Sequence, residues 1–255
     1  MTTAPQGTPP EVAHQEPMLD VGGLNAWYGA ARILFDLALQ VGHGEVVALM
    51  GRNGAGKSTT MKAVMTLMAR RTGTVRFCGR DISHLRPYEI ARLGIGFVPE
   101  DRRIFADLTV AENLDIGRQK PRRFPDGRPA PQWSVDKLYR LFPNLGGMPN
   151  RRGAHMSGGE QQMLTVARTL MGNPLLVLLD EPSEGVAPVI VDEMANTILE
   201  LKREGLSVLL SEQNIHFATL VSDRAYVLEK GQVRWQGPMA ELAGDTAAQR
   251  ALLSM

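Results

Sequence analysis

Gly51-Arg-Asn-Gly-Ala-Gly-Lys57-Ser58 is the stretch that decides the fold of this chain. Its spacing, a Gly followed by four residues and then Gly-Lys-Ser, is that of a phosphate-binding loop, or P-loop. The apolar run Glu45–Met50 before it predicts a buried strand, and Lys57–Met68 after it predicts a helix. Because the loop joins a strand to a helix, its backbone N–H groups and the positive end of the helix can face one anion.

The residue types in this loop suit a nucleotide. Glycines without a Cβ let the backbone bring successive N–H groups around a phosphate. Lys57 is predicted to reach the β- and γ-phosphates, and the Ser58 hydroxyl is predicted to be a ligand of Mg²⁺. The candidate nucleotide-binding residues of the loop are Gly51, Asn53, Gly54, Ala55, Gly56, Lys57, Ser58 and Thr59.

A second apolar run, Leu175–Leu179, ends in Asp180-Glu181. A continuous run of this kind predicts a strand buried in a parallel sheet, where ligands bind beyond the C-terminal ends of the strands. We expect Asp180 to hold Mg²⁺ through its water shell and Glu181 to accept a proton from the attacking water. Taken alone, the acidic pair fits a helix N-terminus or a solvated turn at least as well, and the P-loop is what favours the catalytic interpretation.

A third segment, Met156-Ser-Gly-Gly-Glu-Gln161, points to a known family. It resembles the Leu-Ser-Gly-Gly-Gln signature of ABC-type ATPases, with Met in place of Leu and Glu160 in place of Gln. A Ser and two Gly residues before a helix predicted over Gln161–Met171 present N–H groups to an anion, although the same residues also make an ordinary helix cap. The resemblance extends from about Met18 to Gly237.

The resemblance implies an α/β fold, namely a P-loop NTPase ABC cassette with a parallel core sheet, an N-terminal antiparallel β subdomain and an inserted helical subdomain. Thr109 and Ser134 can cap helices in the insertion, and its loop Lys120–Pro131 is interpreted as an exposed surface loop. The expected division is a flexible tail (1–17), the first part of the ATP-binding core with the β subdomain (18–100), the helical subdomain with the signature (101–171), the second part of the core (172–237) and a C-terminal helical segment (238–255).

The resemblance also implies hydrolysis of ATP with Mg²⁺ in a dimer of cassettes. Ser157, Gly158 and Gly159 of one cassette would contact the γ-phosphate held by the P-loop of the other. Tyr28 lies where the family stacks an aromatic ring on adenine, and an ordinary Tyr at a strand end is the alternative.

Three positions outside the signature also depart from the family pattern. Glu100 stands where a Gln normally bridges Mg²⁺ and the membrane partner, and a carboxylate there can still bind metal. Gln213 stands where a switch His contacts the γ-phosphate; an amide can donate that hydrogen bond but cannot titrate. Ala187 replaces an Asp of the dimer contact. The expected catalytic residues are Glu181 and Gln213, and the expected metal ligands are Ser58, Glu100 and Asp180.

Four segments narrow the resemblance to the Liv-type ATPases of branched-chain amino acid importers, and to the shorter of their two ATPase subunits. These segments are Val98–Phe105, Met156–Met163, Asp180–Pro188 and Ser211–Asn214. The implied partners are a second ATPase subunit, identical or not, transmembrane permease subunits and, indirectly, a periplasmic solute-binding protein. The implied location is the cytoplasmic face of the inner membrane. A urea or short-chain amide importer is the nearest alternative, and a soluble ABC ATPase acting on nucleic acid or ribosomes is a more distant one.

Composition limits the function further. The 255 residues are 44% hydrophobic and 22% charged, as in an ordinary globular domain, and the net charge of +1 argues against a nucleic-acid partner. The apolar runs fall short of the roughly 20 residues that cross a bilayer, so a transport path would come from other chains. The single cysteine, Cys78, fits a reducing compartment and is predicted to be a small buried hydrophobe in the stretch Gly73–Cys78.

Overall fold

The computed structural model describes residues 16–253, so the predicted tail 1–17 falls almost wholly outside the described residues. The strands are β1 (Leu19–Tyr28), β2 (Ala31–Val41), β3 (Val46–Met50), β4 (Arg70–Phe77), β5 (Arg80–Asp81), β6 (Ile95–Val98), β7 (Leu176–Asp180), β8 (Ser207–Glu212), β9 (Arg224–Glu229) and β10 (Gln232–Pro238). The helices are α1 (Lys57–Val64), α2 (Pro87–Leu93), α3 (Val110–Gly117), α4 (Val135–Leu141), α5 (Pro143–Gly146), α6 (Gly158–Leu170), α7 (Pro188–Arg203), α8 (Ile215–Val221), α9 (Met239–Gly244) and α10 (Thr246–Leu252).

The order of the strands in the larger sheet determines where a site can form. The order is β10-β9-β3-β8-β7-β6, and every pairing except β10 with β9 is parallel. β8 therefore lies between the strand that leads into the P-loop and the strand that ends at Asp180. Because parallel strands end at the same edge of a sheet, the residues that follow β3, β7 and β8 meet there.

A second, four-stranded sheet covers one face of the larger sheet. Its order is β2-β1-β4-β5, with antiparallel pairing throughout. β3 is buried along its whole length and faces two hydrophobic clusters. Val46, Ala48 and Met50 pack with helices α6 and α7, whereas Val47 and Leu49 pack with α1 and the antiparallel sheet. Alternate side chains of one strand thus bind the two outer layers to the sheet.

Two predicted helices have different bounds in the structure. α1 ends at Val64 instead of Met68, because Thr66 adopts a left-handed φ of 55° and the Leu67 N–H donates to the Lys62 carbonyl at 2.8 Å, which closes the helix. α6 begins at Gly158 instead of Gln161, since the Ser157 side chain accepts the Glu160 N–H and acts as the N-cap.

The loop 120–131 is mostly exposed, as its composition predicts, and its base is anchored to the rest of the fold. Ala130 is 4% exposed, and the Arg122 side chain is half-buried. The guanidinium of Arg122 donates to the carbonyls of Ala91 (3.2 Å) and Arg92 at the C-terminal end of α2, and to that of Asn173 (2.9 Å) after α6. The loop is thus an exposed surface loop whose base is anchored by Arg122, because a guanidinium satisfies helix-end carbonyls that would otherwise lack donors.

Cys78 also differs from its prediction. It is half-buried and not fully buried, and it lies just after β4 and not within the strand, in a left-handed conformation with φ 50°.

Residues 101–171 contain helices and no strand longer than an isolated bridge, as the capping residues predict.

Candidate active site

The P-loop is held from both sides by backbone contacts. Gly51 has φ 149°, and a Cβ there would lie 2.5 Å from the Leu228 carbonyl oxygen. Gly231, in the turn between β9 and β10, donates its N–H to the Ala55 carbonyl at 2.9 Å and accepts the N–H of Phe35 at 2.9 Å. The β9–β10 turn therefore joins the P-loop to β2, and backbone packing sets the shape of the loop.

Lys57, the first residue of α1, points into the loop. Its side chain is 3% exposed, and Nζ lies 2.8 Å from the Gly51 carbonyl oxygen, 3.2 Å from that of Arg52 and 3.0 Å from Glu181 Oε1. These three acceptors satisfy the three N–H groups of the ammonium. The positive charge is thereby placed at the centre of the loop, where the sequence predicts phosphate.

Asp180, at the end of β7, is the buried carboxylate of the site. Its Oδ1 accepts hydrogen bonds from the hydroxyls of Ser58 (2.8 Å) and Ser211 (2.7 Å). Its Oδ2 is buried and has no hydrogen-bond partner. Burial raises the pKa of Asp180, and the two hydroxyls oppose that shift. An unpaired buried carboxylate oxygen beside a Ser hydroxyl is unfavourable unless another group contacts it.

These residues fit a magnesium ion. Mg²⁺ in nucleotide sites takes one or two carboxylates together with phosphate oxygens and waters, and it is not held by a cage of protein ligands. No cluster of three or more His, Cys, Asp and Glu side chains suited to a metal occurs among residues 16–253, which agrees with that mode. Asp180 Oδ2 and the Ser58 hydroxyl are the two groups that would contact the ion and its waters.

Glu181 follows in a strained conformation with φ 49°, held by hydrogen bonds from its N–H to Ser211. Its carboxylate is bracketed by two donors, since Oε1 faces Lys57 and Oε2 accepts the Gln213 amide at 2.9 Å. Burial works against its ionisation, but hydrogen bonds from Glu184, Gln213 and Lys57 outweigh burial and lower the pKa of Glu181. A side chain that is ionised at neutral pH and held by two donors is suited to accept a proton.

Glu184, exposed on the turn after β7, complements this arrangement. Its hydrogen bond with Glu181, with smaller contributions from burial and from the charges of Glu181 and Glu100, raises the pKa of Glu184 to about 7. With the pKa of Glu184 raised and that of Glu181 lowered, the negative charge stays on Glu181.

The remaining predicted site residues lie apart from this cluster. Among the described residues, no hydrogen bond joins Tyr28, Glu100 or Ser157 to Lys57, Asp180 or Glu181. Tyr28 ends β1 with half of its surface exposed (51%), beside the end of β2 that contacts the P-loop. Glu100 is exposed and lies near Glu184. Ala187 is the N-cap residue of α7, without a capping side chain.

The signature segment forms the N-terminus of α6. Glu160 Oε2 accepts the Ser157 N–H at 2.7 Å, and the Ser157 hydroxyl accepts the Glu160 N–H at 3.3 Å. This capping box leaves the N–H groups of Gly158 and Gly159 as first-turn donors without a partner in the helix. An anion from another molecule could accept them.

Sequence reasoning missed three residues that build the site. Ser211 holds both Asp180 and the Glu181 N–H, Gly231 holds the P-loop, and Glu212 accepts backbone N–H groups from both sides of the site. In the sequence, Ser211 and Glu212 were visible only as part of the family segment Ser211–Asn214, and Gly231 only as a turn residue. The partners of Ser211 and Gly231 are far away in the chain, so only the strand order brings them together.

The fold and the site define a class of protein. The sequence profile of the ABC transporter family matches residues 34–184. The crystal structure of a nucleotide-free ATP-binding cassette from an ABC transporter superposes with a TM-score of 0.75 and 26% identity, over 91% of this chain and 97% of that one. The ADP conformation of another such cassette gives a TM-score of 0.75 at 27% identity, with the same shares covered. The chain belongs to the ABC transporter family and is an ABC-type ATPase that binds and hydrolyses ATP.

Curated relatives give a finer resemblance. BraG of Pseudomonas aeruginosa, a high-affinity branched-chain amino acid transport ATP-binding protein, is 42% identical over 85% of this chain and 91% of its own length. A probable branched-chain amino acid transport ATP-binding protein LivF of Archaeoglobus fulgidus is 34% identical over 88% and 94%. LptB of Haemophilus influenzae, a lipopolysaccharide export system ATP-binding protein, is 33% identical over 89% and 92%. In the part of the chain that the structure covers, no helix is long and apolar enough to span a bilayer.

These findings confirm the predicted fold class, the predicted family and ATP hydrolysis. They also confirm the resemblance to branched-chain transport subunits, since BraG and LivF are both similar over most of this chain. The individual site residues and the domain bounds stay predictions.

Proposed function

We propose that this chain is the ATP-hydrolysing subunit of an importer for branched-chain amino acids. The observation that carries the proposal is the similarity to BraG over nearly the whole length of both proteins, joined to the cluster Lys57–Glu181–Gln213 beside Ser58–Asp180. The choice of branched-chain amino acids as the solute rests only on the similarity to BraG, whereas the proposed ATP hydrolysis also rests on this cluster of side chains.

ATP would bind along the P-loop. Lys57 is the only charged donor pointing into the loop in the described structure, so the β- and γ-phosphates would compete with Glu181 for its ammonium. Thr59 and the loop N–H groups would surround the same phosphates, and Tyr28 would stack on the base. Bound Mg²⁺ would neutralise charge on the phosphates, held near Asp180 and Ser58, with Glu100 as the proposed further ligand.

Glu181 would act as the base for hydrolysis. Its Oε2 accepts the Gln213 amide, so the carboxylate is oriented before a water arrives. The lowered pKa keeps Glu181 ionised, and the pKa of about 7 at Glu184 places a protonated neighbour beside it. The Gln213 side-chain amide would also donate a hydrogen bond to the γ-phosphate, in place of the switch His.

Two cassettes would enclose each ATP. Ser157 is exposed, Gly158 and Gly159 at the start of α6 are half-buried, and their first-turn N–H groups would reach a nucleotide of a second subunit. ATP then holds the dimer together, and hydrolysis releases it. The second subunit is either another copy or a non-identical ATPase.

The permease would dock on a groove between the core and the helical region. This groove, about 550 Å³, carries three exposed apolar side chains, Tyr88 (46%), Phe105 (47%) and Ile116 (53%). Exposed aromatic and aliphatic groups of this kind suit a protein contact. Because the groove lies between the core and the helical region, motion between these regions would reach the permease. The chain would then lie on the cytoplasmic face of the inner membrane. A periplasmic binding protein would deliver the solute.

The LptB relatives favour a second candidate, an ATPase for lipopolysaccharide export. The sequence identity between this chain and LptB of Haemophilus influenzae is 33%, below the 42% identity with BraG. This difference favours amino acid import. Import of urea or short-chain amides, the nearest alternative that the sequence resemblance leaves open, is a third candidate.

Uptake measurements test the proposed function. Cells of the source organism that lack this gene are expected to lose high-affinity uptake of radiolabelled leucine, isoleucine and valine, and to keep uptake of urea. Wild-type protein restores uptake, and Glu181→Gln, produced at the same level, does not. Unchanged uptake of all three amino acids in the deletion strain would refute the solute assignment, and loss of urea uptake alone would support the alternative.

A further inference from the structure

Glu212, the last residue of β8, is a buried carboxylate that accepts three backbone N–H groups. The residue is 2% exposed and forms no ion pair among the described residues. Its Oε1 accepts the N–H of Ser183 at 3.0 Å, and its Oε2 accepts the N–H groups of Gln213 at 3.1 Å and Asn214 at 3.2 Å. Burying a carboxylate is unfavourable, so these three bonds offset a substantial desolvation penalty.

The bonds close a ring around the base. Ser183 lies two residues after Glu181 on the turn that leaves β7, and Gln213 donates its side-chain amide back to Glu181. Glu212 is the one side chain among the described residues that accepts N–H groups from both of these segments. The contacts therefore run from Glu181 through Ser183 and Glu212 to Gln213, and return to Glu181.

We propose that Glu212 is a positioning residue for ATP hydrolysis, whose carboxylate fixes Gln213 against Glu181 and joins both to the loop 182–187. The inference rests on the proposed function, which makes Glu181 the base. Glu212 does not reach the P-loop and does not touch the phosphates; it acts through Gln213. Ala187, at the end of this loop, is the N-cap residue of α7 without a side-chain hydrogen bond, so that residue does not hold the segment in place.

Glu212→Gln separates this role from simple packing. Gln has nearly the same volume, but its amide has one acceptor oxygen and one NH₂ group. The NH₂ group must face either the Ser183 N–H or the N–H groups of Gln213 and Asn214, so donor meets donor on one side. The ring is opened while the core stays filled.

The test is a double-mutant cycle on the purified ATPase. Glu212→Gln is expected to lower kcat about tenfold, the effect of an unsatisfied buried donor, and to leave KM for ATP and the affinity for a fluorescent ATP analogue within about twofold. If Glu212 acts through Gln213, adding Glu212→Gln to Gln213→Ala lowers kcat by less than about twofold further. Independent losses that multiply in the double variant would overturn the proposal, as would an unchanged kcat or a parallel loss of nucleotide affinity.

Glu45→Gln is the matched control. Glu45 also accepts a backbone N–H, that of Gly42 at 2.6 Å, but it pairs with Arg224 at the opposite end of the sheet. We expect this variant to be less stable and to keep kcat per folded molecule. An equal loss of kcat in Glu45→Gln would assign the effect of Glu212 to general loosening and overturn the proposal.

Amide hydrogen exchange gives a readout that does not need turnover. Glu212→Gln is expected to speed exchange about tenfold at Ser183, or at Gln213 and Asn214, whichever side the NH₂ group faces. Unchanged exchange at all three amides would contradict the link itself. Absence of hydrolysis by the wild-type chain would instead contradict the proposed function, so the two failures are distinguishable.

Discussion

Glu181 is the residue on which the proposed reaction depends most. Glu181→Gln keeps the shape of the side chain and removes its ability to accept a proton. We expect ATP binding to stay within about twofold and hydrolysis to fall about a hundredfold to ten-thousandfold, the range of general-base contributions. Purified protein and a phosphate-release assay measure the effect, and near wild-type turnover would exclude Glu181 as the base.

Ser211 is a second residue that can be tested singly, because it orients Asp180 and holds the Glu181 N–H. Removing a group that orients a metal-binding carboxylate typically weakens metal binding. Ser211→Ala is expected to raise the Mg²⁺ concentration for half-maximal hydrolysis about tenfold.

Ser207→Ala is the control for this change. Ser207 is equally buried on the same strand, but its hydroxyl bonds to Gly42 and Gly44 at the other end. The Mg²⁺ requirement should stay that of the wild type. An identical shift in both variants would mean that the strand, and not the contact with Asp180, sets the requirement.

Cys78 gives a prediction for pH dependence. Burial disfavours the thiolate and raises the pKa of Cys78 to about 11. The thiolate is the reactive form, so alkylation by iodoacetamide at pH 8 should be about a hundredfold slower than in the urea-unfolded chain. The rate should keep rising toward pH 11. A rate that levels off near pH 9 in the folded protein would contradict the effect of burial.

At the scale of elements, the turn between β9 and β10 supports the P-loop. Gly231 has φ 78°, and a Cβ there would lie 1.8 Å from the Ile33 carbonyl oxygen. Gly231→Ala is expected to lower the free energy of unfolding by about 3 kcal/mol, since strain and a backbone clash combine. The displaced turn also releases Ala55, so ATP affinity should fall.

Gly127→Ala separates strain from clash. Gly127 has a similar φ of 85°, but nothing lies within 4 Å of a Cβ placed there. We expect a loss of about 1 kcal/mol in a urea titration, with ATP affinity unchanged. Equal losses in the two variants would show that the contact with Ile33 does not matter.

The elements were largely predictable, and the exceptions have local causes. β7 and α3 follow from an apolar run and from Thr109 as a cap, which are signals within a few residues. The end of α1 depends on a left-handed Thr66, and the burial of Arg122 depends on distant carbonyls. No local pattern encodes either feature.

At the scale of the whole molecule, the order of the strands in the larger sheet determines which site residues could be predicted from the sequence. The P-loop and Asp180-Glu181 were found because each is a motif, and the placement of β8 between β3 and β7 explains why they meet. Ser211 and Glu212 lie in the segment Ser211–Asn214, which pointed to the family but assigned neither residue a role. They become part of the site only because their strand occupies that central position.

The central claim is that one ATP is held by the P-loop of one subunit and the signature turn of the other. A cryo-EM structure of the Glu181→Gln variant with Mg·ATP and its partner subunits is the most direct measurement. The account predicts a closed dimer in which the γ-phosphate lies within about 3 Å of Lys57 Nζ of one cassette and of the signature Ser of the opposite cassette, which is Ser157 where this chain supplies it. A closed, ATP-loaded dimer in which Ser157 faces away from the nucleotide would contradict it.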